Sequence, residues 1–334
     1  MLAAVEPIIP PPLFSPRTPA SMWFKNLRLY RLTKPFTLSA EALHEQLATK
    51  AFHPCGNISP FSYGWVPPLG RHGEQLSHAA NGYIMLCARR EEKVLPASVV
   101  REFVTEKVTA IEEEQARTVR RKERDQIKDE VLLDLLPRAF TRSSHTFAYL
   151  APKDGWLIVD AASASKAEDL VSLLRESLGG LSAVLPSVNN TPTQTLTQWL
   201  TNQTAATGFV IEDQCEMRDP KQEGGVVRCT RQDLAAEEVM SHLTAGKQVA
   251  KLAVEWNERL SCILANDLTV QRLRFLDVIQ EAAQEVEGDD AATLFDADFA
   301  LMSMELARFI PALLEAFGGE NESSWGVVSE DEAA

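Results

Sequence analysis

The sequence predicts an α+β fold, and three observations lead to it. Stretches in which apolar and polar residues alternate, such as 23–32, are interleaved with stretches of helical period, such as 167–178. Glycine and proline clusters punctuate the chain between them. A hairpin expected within 146–159 makes the sheets mixed or antiparallel. With 334 residues and 45% hydrophobic content, the chain can bury a large core and divide into roughly two or three parts.

The first strand is expected over Trp23–Leu32, with Lys25, Arg28 and Arg31 giving it a basic face. A helix capped by Ser39 follows, with Leu43 and Leu47 as its apolar stripe, ending near Lys50. Residues 53–73 hold eight glycines and prolines and read as one long ordered loop, after which Tyr83–Ala88 is a short buried strand. Between Pro96 and Pro137 apolar residues recur at helical spacing from Val100 to Leu135. One unbroken helix there would run about 60 Å, so a projecting pair is expected, with the wholly polar 120–126 (RRKERDQ) as its bend.

Thr146–Leu150 and Trp156–Val159 form the hairpin. The helix after it should start with a capping box of Ser165 and Glu168 and stop at Gly179 and Gly180. Later strands are expected at Gly208–Glu212, Val226–Cys229, Val249–Trp256, Arg259–Leu264 and Val270–Arg274, and helices near Leu234–Ala245 and Ala292–Phe317. No repeat of fixed period runs through the chain.

The net charge of −14 speaks against a nucleic-acid partner until its distribution is read. Residues 281–334 carry 14 acidic residues against the single basic Arg308; of the 33 basic and 47 acidic residues in total, 32 and 33 then remain for residues 1–280. The body is nearly neutral and free to carry basic faces, so overall charge does not decide the question. No stretch approaches the roughly 20 apolar residues of a membrane span, which predicts a soluble protein. Residues 1–21 hold six prolines and no secretory pattern, and read as a floppy extension. Five scattered cysteines point to a reducing, cytoplasmic setting.

Chemical signatures are missing. Gly246 and Lys247 lack the flanking residues of a phosphate-binding loop, and no zinc or dinucleotide motif occurs. His72 and His78 stand six apart, a spacing that does not share a helix face, so neither metal nor cofactor is expected. Asp160 reads as a turn or capping aspartate, the alternative being an isolated catalytic carboxylate. The cysteines read as small buried hydrophobes. No active site emerges.

Basic segments are more informative. Arg117, Arg120, Arg121, Lys122 and Arg124 crowd into eight residues, as either a solvated helix face or a ligand site. Arg138, Phe140 and Arg142 set an aromatic between two guanidinium groups, able to stack on a base while its neighbours hold phosphate; Phe140 could equally be a core residue at a helix end. Arg228, Arg231 and Gln232 precede a helix expected from Asp233, whose amides could face a phosphate. Lys251, Arg259, Arg272 and Arg274 permit a basic sheet face.

The stretches WFKNLRLYRL, AFHPCG, GWVPPLG, HAANGYIMLCARREEKVLP, KDEVLLDLLPRAFTR, ASASKAEDLVSLLRESLG, RQDL and FDADFALMSMELA together resemble the recombination-associated protein RdgC family, from Met22 to Gly319. Family members start at the residue matching Met22, and the acidic end after Gly319 departs from the shared pattern. The resemblance implies a horseshoe monomer of base, centre and tip subdomains that closes with a second copy into a ring-shaped homodimer. It divides the chain into an extension (1–21), a first base and centre region (22–96), a helical tip (97–136), a centre with sheets (137–280), a helical base part (281–319) and a disordered acidic tail (320–334). The implied function is non-enzymatic: sequence-independent binding of double-stranded DNA, and also of single strands, with restraint of RecA, in the cytoplasm and on the nucleoid. Phe140, Arg231 and Gln232 fall in matching motifs as DNA contacts, followed by Arg117–Arg124. The alternative is a scaffold that binds a recombination protein through its acidic C-terminus.

Overall fold

The computed structural model describes residues 23–221, 224–284 and 290–325. Expectations for the extension before residue 23 and for the tail beyond 325 lie outside these residues.

Strand β1 (Arg28–Leu32) is shorter than its alternation suggests. The Asp160 carboxylate takes the backbone N–H groups of Lys25 at 3.2 Å and Asn26 at 2.8 Å, and Leu27 bridges instead to Val270, so pairing begins only at Arg28. Helix α1 (Ala40–Ala48) is capped as expected, Ser39 accepting from the Ala42 N–H at 3.2 Å, with Leu43 and Leu47 buried. The expected long loop instead contains β2 (Phe61–Val66). Gly64 there is a packing glycine rather than a breaker: a Cβ would meet the Phe52 backbone at 2.7 Å.

After β3 (Ser77–Ala80), β4 (Tyr83–Val94) is twice its expected length, because its polar half 89–94 is carried by pairing with a later strand. Helices α2 (Ala97–Gln115) and α3 (Arg121–Leu135) follow. Their turn lies at 116–120 and meets RRKERDQ only at Arg120, its remaining residues 121–126 forming the first turns of α3. The Glu112 carboxylate accepts the Val119 N–H at 2.7 Å, and Arg117 bonds Glu123 at 2.7 and 2.5 Å, which closes the chain before Arg121.

Strands β5 (Phe140–Ala151) and β6 (Trp156–Val159) make the hairpin, and α4 (Ala164–Leu178) follows. Ser163, not Ser165, caps α4 by accepting from Lys166, while Glu168 accepts from the Tyr30 hydroxyl at 2.8 Å. The chain continues through β7 (Ala183–Val184), α5 (Pro192–Asn202), β8 (Phe209–Arg218), β9 (Val226–Thr230), α6 (Glu237–Thr244), β10 (Gln248–Trp256), β11 (Leu260–Ala265), β12 (Val270–Phe275), α7 (Asp277–Gln284) and α8 (Ala291–Ala316).

Among the described residues the strands form two antiparallel sheets: a seven-stranded one ordered β2-β4-β5-β6-β1-β7 with β3 on β4, and a five-stranded one ordered β12-β11-β10-β8-β9. Alternation splits the first sheet between two cores. Tyr30, Leu86, Leu150, Leu157 and Val159 pack under α1 and α4. Leu29, Met85, Tyr149 and Ile158 face α8 and the inner side of the second sheet, where Leu252, Val254, Leu260 and Leu273 complete the larger core. The α2–α3 hairpin grows from the β4–β5 end and carries its own small core of Val100, Val104, Ile127 and Val131. No helix among the described residues is long and apolar enough to cross a membrane.

Candidate nucleic-acid interface

The structure separates the basic segments into three places. At the root of the helical hairpin, Arg138 ends a single turn after α3, and Phe140 and Arg142 lie on the outer part of β5, opposite Val94 and Glu92. Phe140 is 87% exposed, so it is no core residue. Both flanking arginines are exposed as well. On β4, opposite Ser143, Glu91 has a buried carboxylate that accepts the Cys55 N–H at 2.9 Å and Arg89 at 2.8 Å. The Cys55 amide, with the charge of Arg89 beside it, keeps that carboxyl below its ordinary value.

The second place is the far end of the hairpin. Its 19-residue first helix spans about 28 Å at 1.5 Å per residue, which sets the scale separating this end from Phe140. Arg117 is tied up with Glu123. Arg120, Arg121, Lys122 and Arg124 are exposed there, and no ion pair among the described residues engages them.

The third place is the five-stranded sheet. Arg228 on β9 bonds Glu216 at 2.9 Å. Arg231, just past the strand, holds a left-handed backbone at φ 55°, and Gln232 donates its N–H to the Asp213 carbonyl at 3.3 Å; both side chains point to solvent. The expected helix N-terminus does not face them. Asp233 accepts from Ala235 in a separate turn, α6 starts only at Glu237, and Glu237 and Glu238 place negative charge in its first turn, which disfavours phosphate.

The cations of the later strands divide likewise. Arg259 belongs to the buried Glu305 of α8, at 2.7 and 2.6 Å, and Arg274 lies near Glu212, leaving Lys251 and Arg272 on the sheet face with Arg228. Asp160 is occupied by two backbone amides. Cys87, Cys215, Cys229 and Cys262 are buried; burial pushes the Cys87 and Cys215 thiols up to about 12, which leaves them little thiolate. Among the described residues no group of three His, Cys, Asp or Glu could hold a metal. Sequence reading placed Arg31 on a basic strand face but missed its stacking, the guanidinium lying 4.8 Å from Trp156 and 4.6 Å from Trp325, because both rings come from remote parts of the chain.

These features define a two-sheet α+β protein with a helical arm and separate cationic surfaces, one of them bearing a bare aromatic ring. A family model described as "Putative exonuclease, RdgC" matches residues 22–320. The recombination-associated protein RdgC of Aeromonas hydrophila is 48% identical over 302 residues, covering 90% of this chain and 100% of that one. The protein of the same name from Pseudomonas paraeruginosa is 50% identical over 300 residues, covering 90% and 98%. The chain belongs to the RdgC family of recombination-associated proteins.

Proposed function

We propose that this chain binds DNA without sequence preference, closes as a homodimer into a ring around the duplex, and restrains RecA-dependent recombination as a cytoplasmic, nucleoid-associated protein that needs no cofactor and performs no catalysis. The observation that carries the reading is Phe140, 87% exposed between Arg138 and Arg142. An aromatic so placed can stack on an unpaired base, and guanidinium groups on either side suit phosphates. Arg231 and Gln232 supply a second contact, and Arg120, Arg121, Lys122 and Arg124 a third at the arm's end, where the second copy would meet. Contacts to phosphate position a protein on DNA without reading bases, so a ring built on them slides and obstructs filament growth. In this reading the arm is the tip, the two sheets are base and centre, and single strands also bind.

Fluorescence anisotropy with a labelled duplex at rising salt tests this. With six to ten phosphates engaged, affinity is expected to fall about 10³- to 10⁵-fold between roughly 50 and 200 mM salt. A flat response ends the mechanism. The second reading is the scaffold, favoured by the concentration of 14 acidic residues after residue 280. Removing residues after Gly319 separates the two: lost inhibition of RecA with DNA affinity intact supports the scaffold. The family description names an exonuclease; end-labelled duplex shortened in the presence of Mg²⁺ or Mn²⁺ would replace the non-enzymatic reading.

A further inference from the structure

The face of the five-stranded sheet turned away from the core carries cations that the proposed contacts leave unused. Register sets Arg228 opposite Glu216 and Glu216 opposite Lys251, one row across β9, β8 and β10. Arg272 of β12 flanks the row, and a recess of about 310 Å³ lies among Gln214, Arg228, Thr230, Lys251, Gln271 and Arg272.

What sets these groups apart is their partners. Arg89, Arg117 and Arg259 each end on a carboxylate at 2.5–2.8 Å. The Lys251 ammonium instead donates to Gln271 Oε1 at 3.1 Å, and Arg272 Nη1 to Gln214 Oε1 at 3.1 Å. A neutral amide oxygen orients a cation without cancelling its charge. The recess has a single carboxylate on its wall, Glu216, which is only 7% exposed and already shared by Arg218 at 2.7 Å and Arg228 at 2.9 Å. Burial alone would raise that carboxyl, but the bonds from Arg228 and Arg218 and the charge of Lys251 hold it below its ordinary value, so it stays ionised. Three cations, Arg218, Arg228 and Lys251, thus act on one buried anion, and Arg272 shares the recess with it. Arg272 also holds a left-handed backbone, φ 50°, where the β11–β12 register shifts, an irregularity of the kind that re-aims a side chain out of the ladder.

We propose that this recess binds one phosphate of the DNA backbone, with Lys251 and Arg272 as direct ligands and Glu216 as a positioning residue that fixes Arg228 beside them. The inference rests on the DNA-binding reading and extends it along the sheet from Arg231 and Gln232, which follow Thr230 at the recess edge.

The full-length protein carrying Lys251→Gln and Arg272→Gln is compared with wild type by anisotropy on a labelled 30-bp duplex across a salt series. The slope of log K against log salt is expected to become shallower by roughly 0.9 for each recess engaged. The charge-conserving pair Lys251→Arg and Arg272→Lys should keep the wild-type slope. An unchanged slope in the glutamine variant, with wild type binding in a salt-dependent way, overturns this inference alone. Wild type that shows no salt-dependent binding overturns the DNA reading itself. Circular dichroism checks folding, and if the double variant unfolds, the two single glutamine variants are judged by the same slope criterion.

Discussion

At position 140 an aromatic ring stands almost wholly in solvent at the start of a strand whose far end is buried, and its removal should therefore separate binding from folding. Phe140→Ala is expected to leave the melting temperature within the effect of about 0.5 kcal/mol typical of surface changes, while base stacking worth roughly 1–3 kcal/mol is lost from affinity for single-stranded DNA. Circular dichroism and anisotropy on the same sample check both halves; unfolding would return Phe140 to the core. Arg231 offers a different kind of test, because its positive φ suits glycine better than any side chain. Arg231→Gly should fold at least as stably as wild type and still bind DNA less tightly, with a salt slope shallower by roughly 0.9 per contact. A glycine variant with unchanged slope would remove Arg231 from the interface.

Elements with a strong local signature were legible in the sequence. Ser39 and the Gly179 stop mark α1 and α4, and the largely apolar 249–256 marks β10. What escaped were decisions made by partners far along the chain. Gly64 looks like a breaker until Phe52 packs against it, the polar half of β4 becomes a strand because β2 and β5 lie on either side of it, and Glu168 serves not a capping box but the Tyr30 hydroxyl. The site divides the same way: the chemistry of 138–142 is local and readable, whereas the sorting of Arg259 from Lys251 and Arg272 depends on Glu305, on a helix 46 residues on. That ion pair joins α8 to the turn before β11 with its carboxylate 5% exposed. Arg259→Ala would leave Glu305 buried with only the exposed Arg308, and a loss of about 3 kcal/mol is expected in urea unfolding. A change of a few tenths would mean that water reaches Glu305 and that the pair contributes little to the packing of α8.

The molecule as a whole is built so that its helical arm can be removed. The arm's apolar residues, Val100, Val104, Ile127 and Val131, form a cluster of their own, distinct from the two cores that hold the sheets. Its insertion points are also already together, since Val94 and Phe140 stand opposite each other in the β4–β5 ladder, so a short turn could replace residues 97–136 without disturbing the register. The shortened chain should therefore fold, melting close to wild type. Its behaviour on DNA then tests ring closure apart from phosphate binding. A closed ring is held on a covalently closed circle by topology, which salt does not screen, whereas an open clamp is held by ionic contacts alone and leaves as salt rises. Wild type loaded at low salt on circular DNA should remain bound through a high-salt wash and be released once the circle is cut by a restriction enzyme. The armless variant should wash off circle and linear DNA alike. Equal retention of both proteins on the circle would mean that the arm does not close the ring, and wild type lost as readily from circles as from linear DNA would mean that no ring forms.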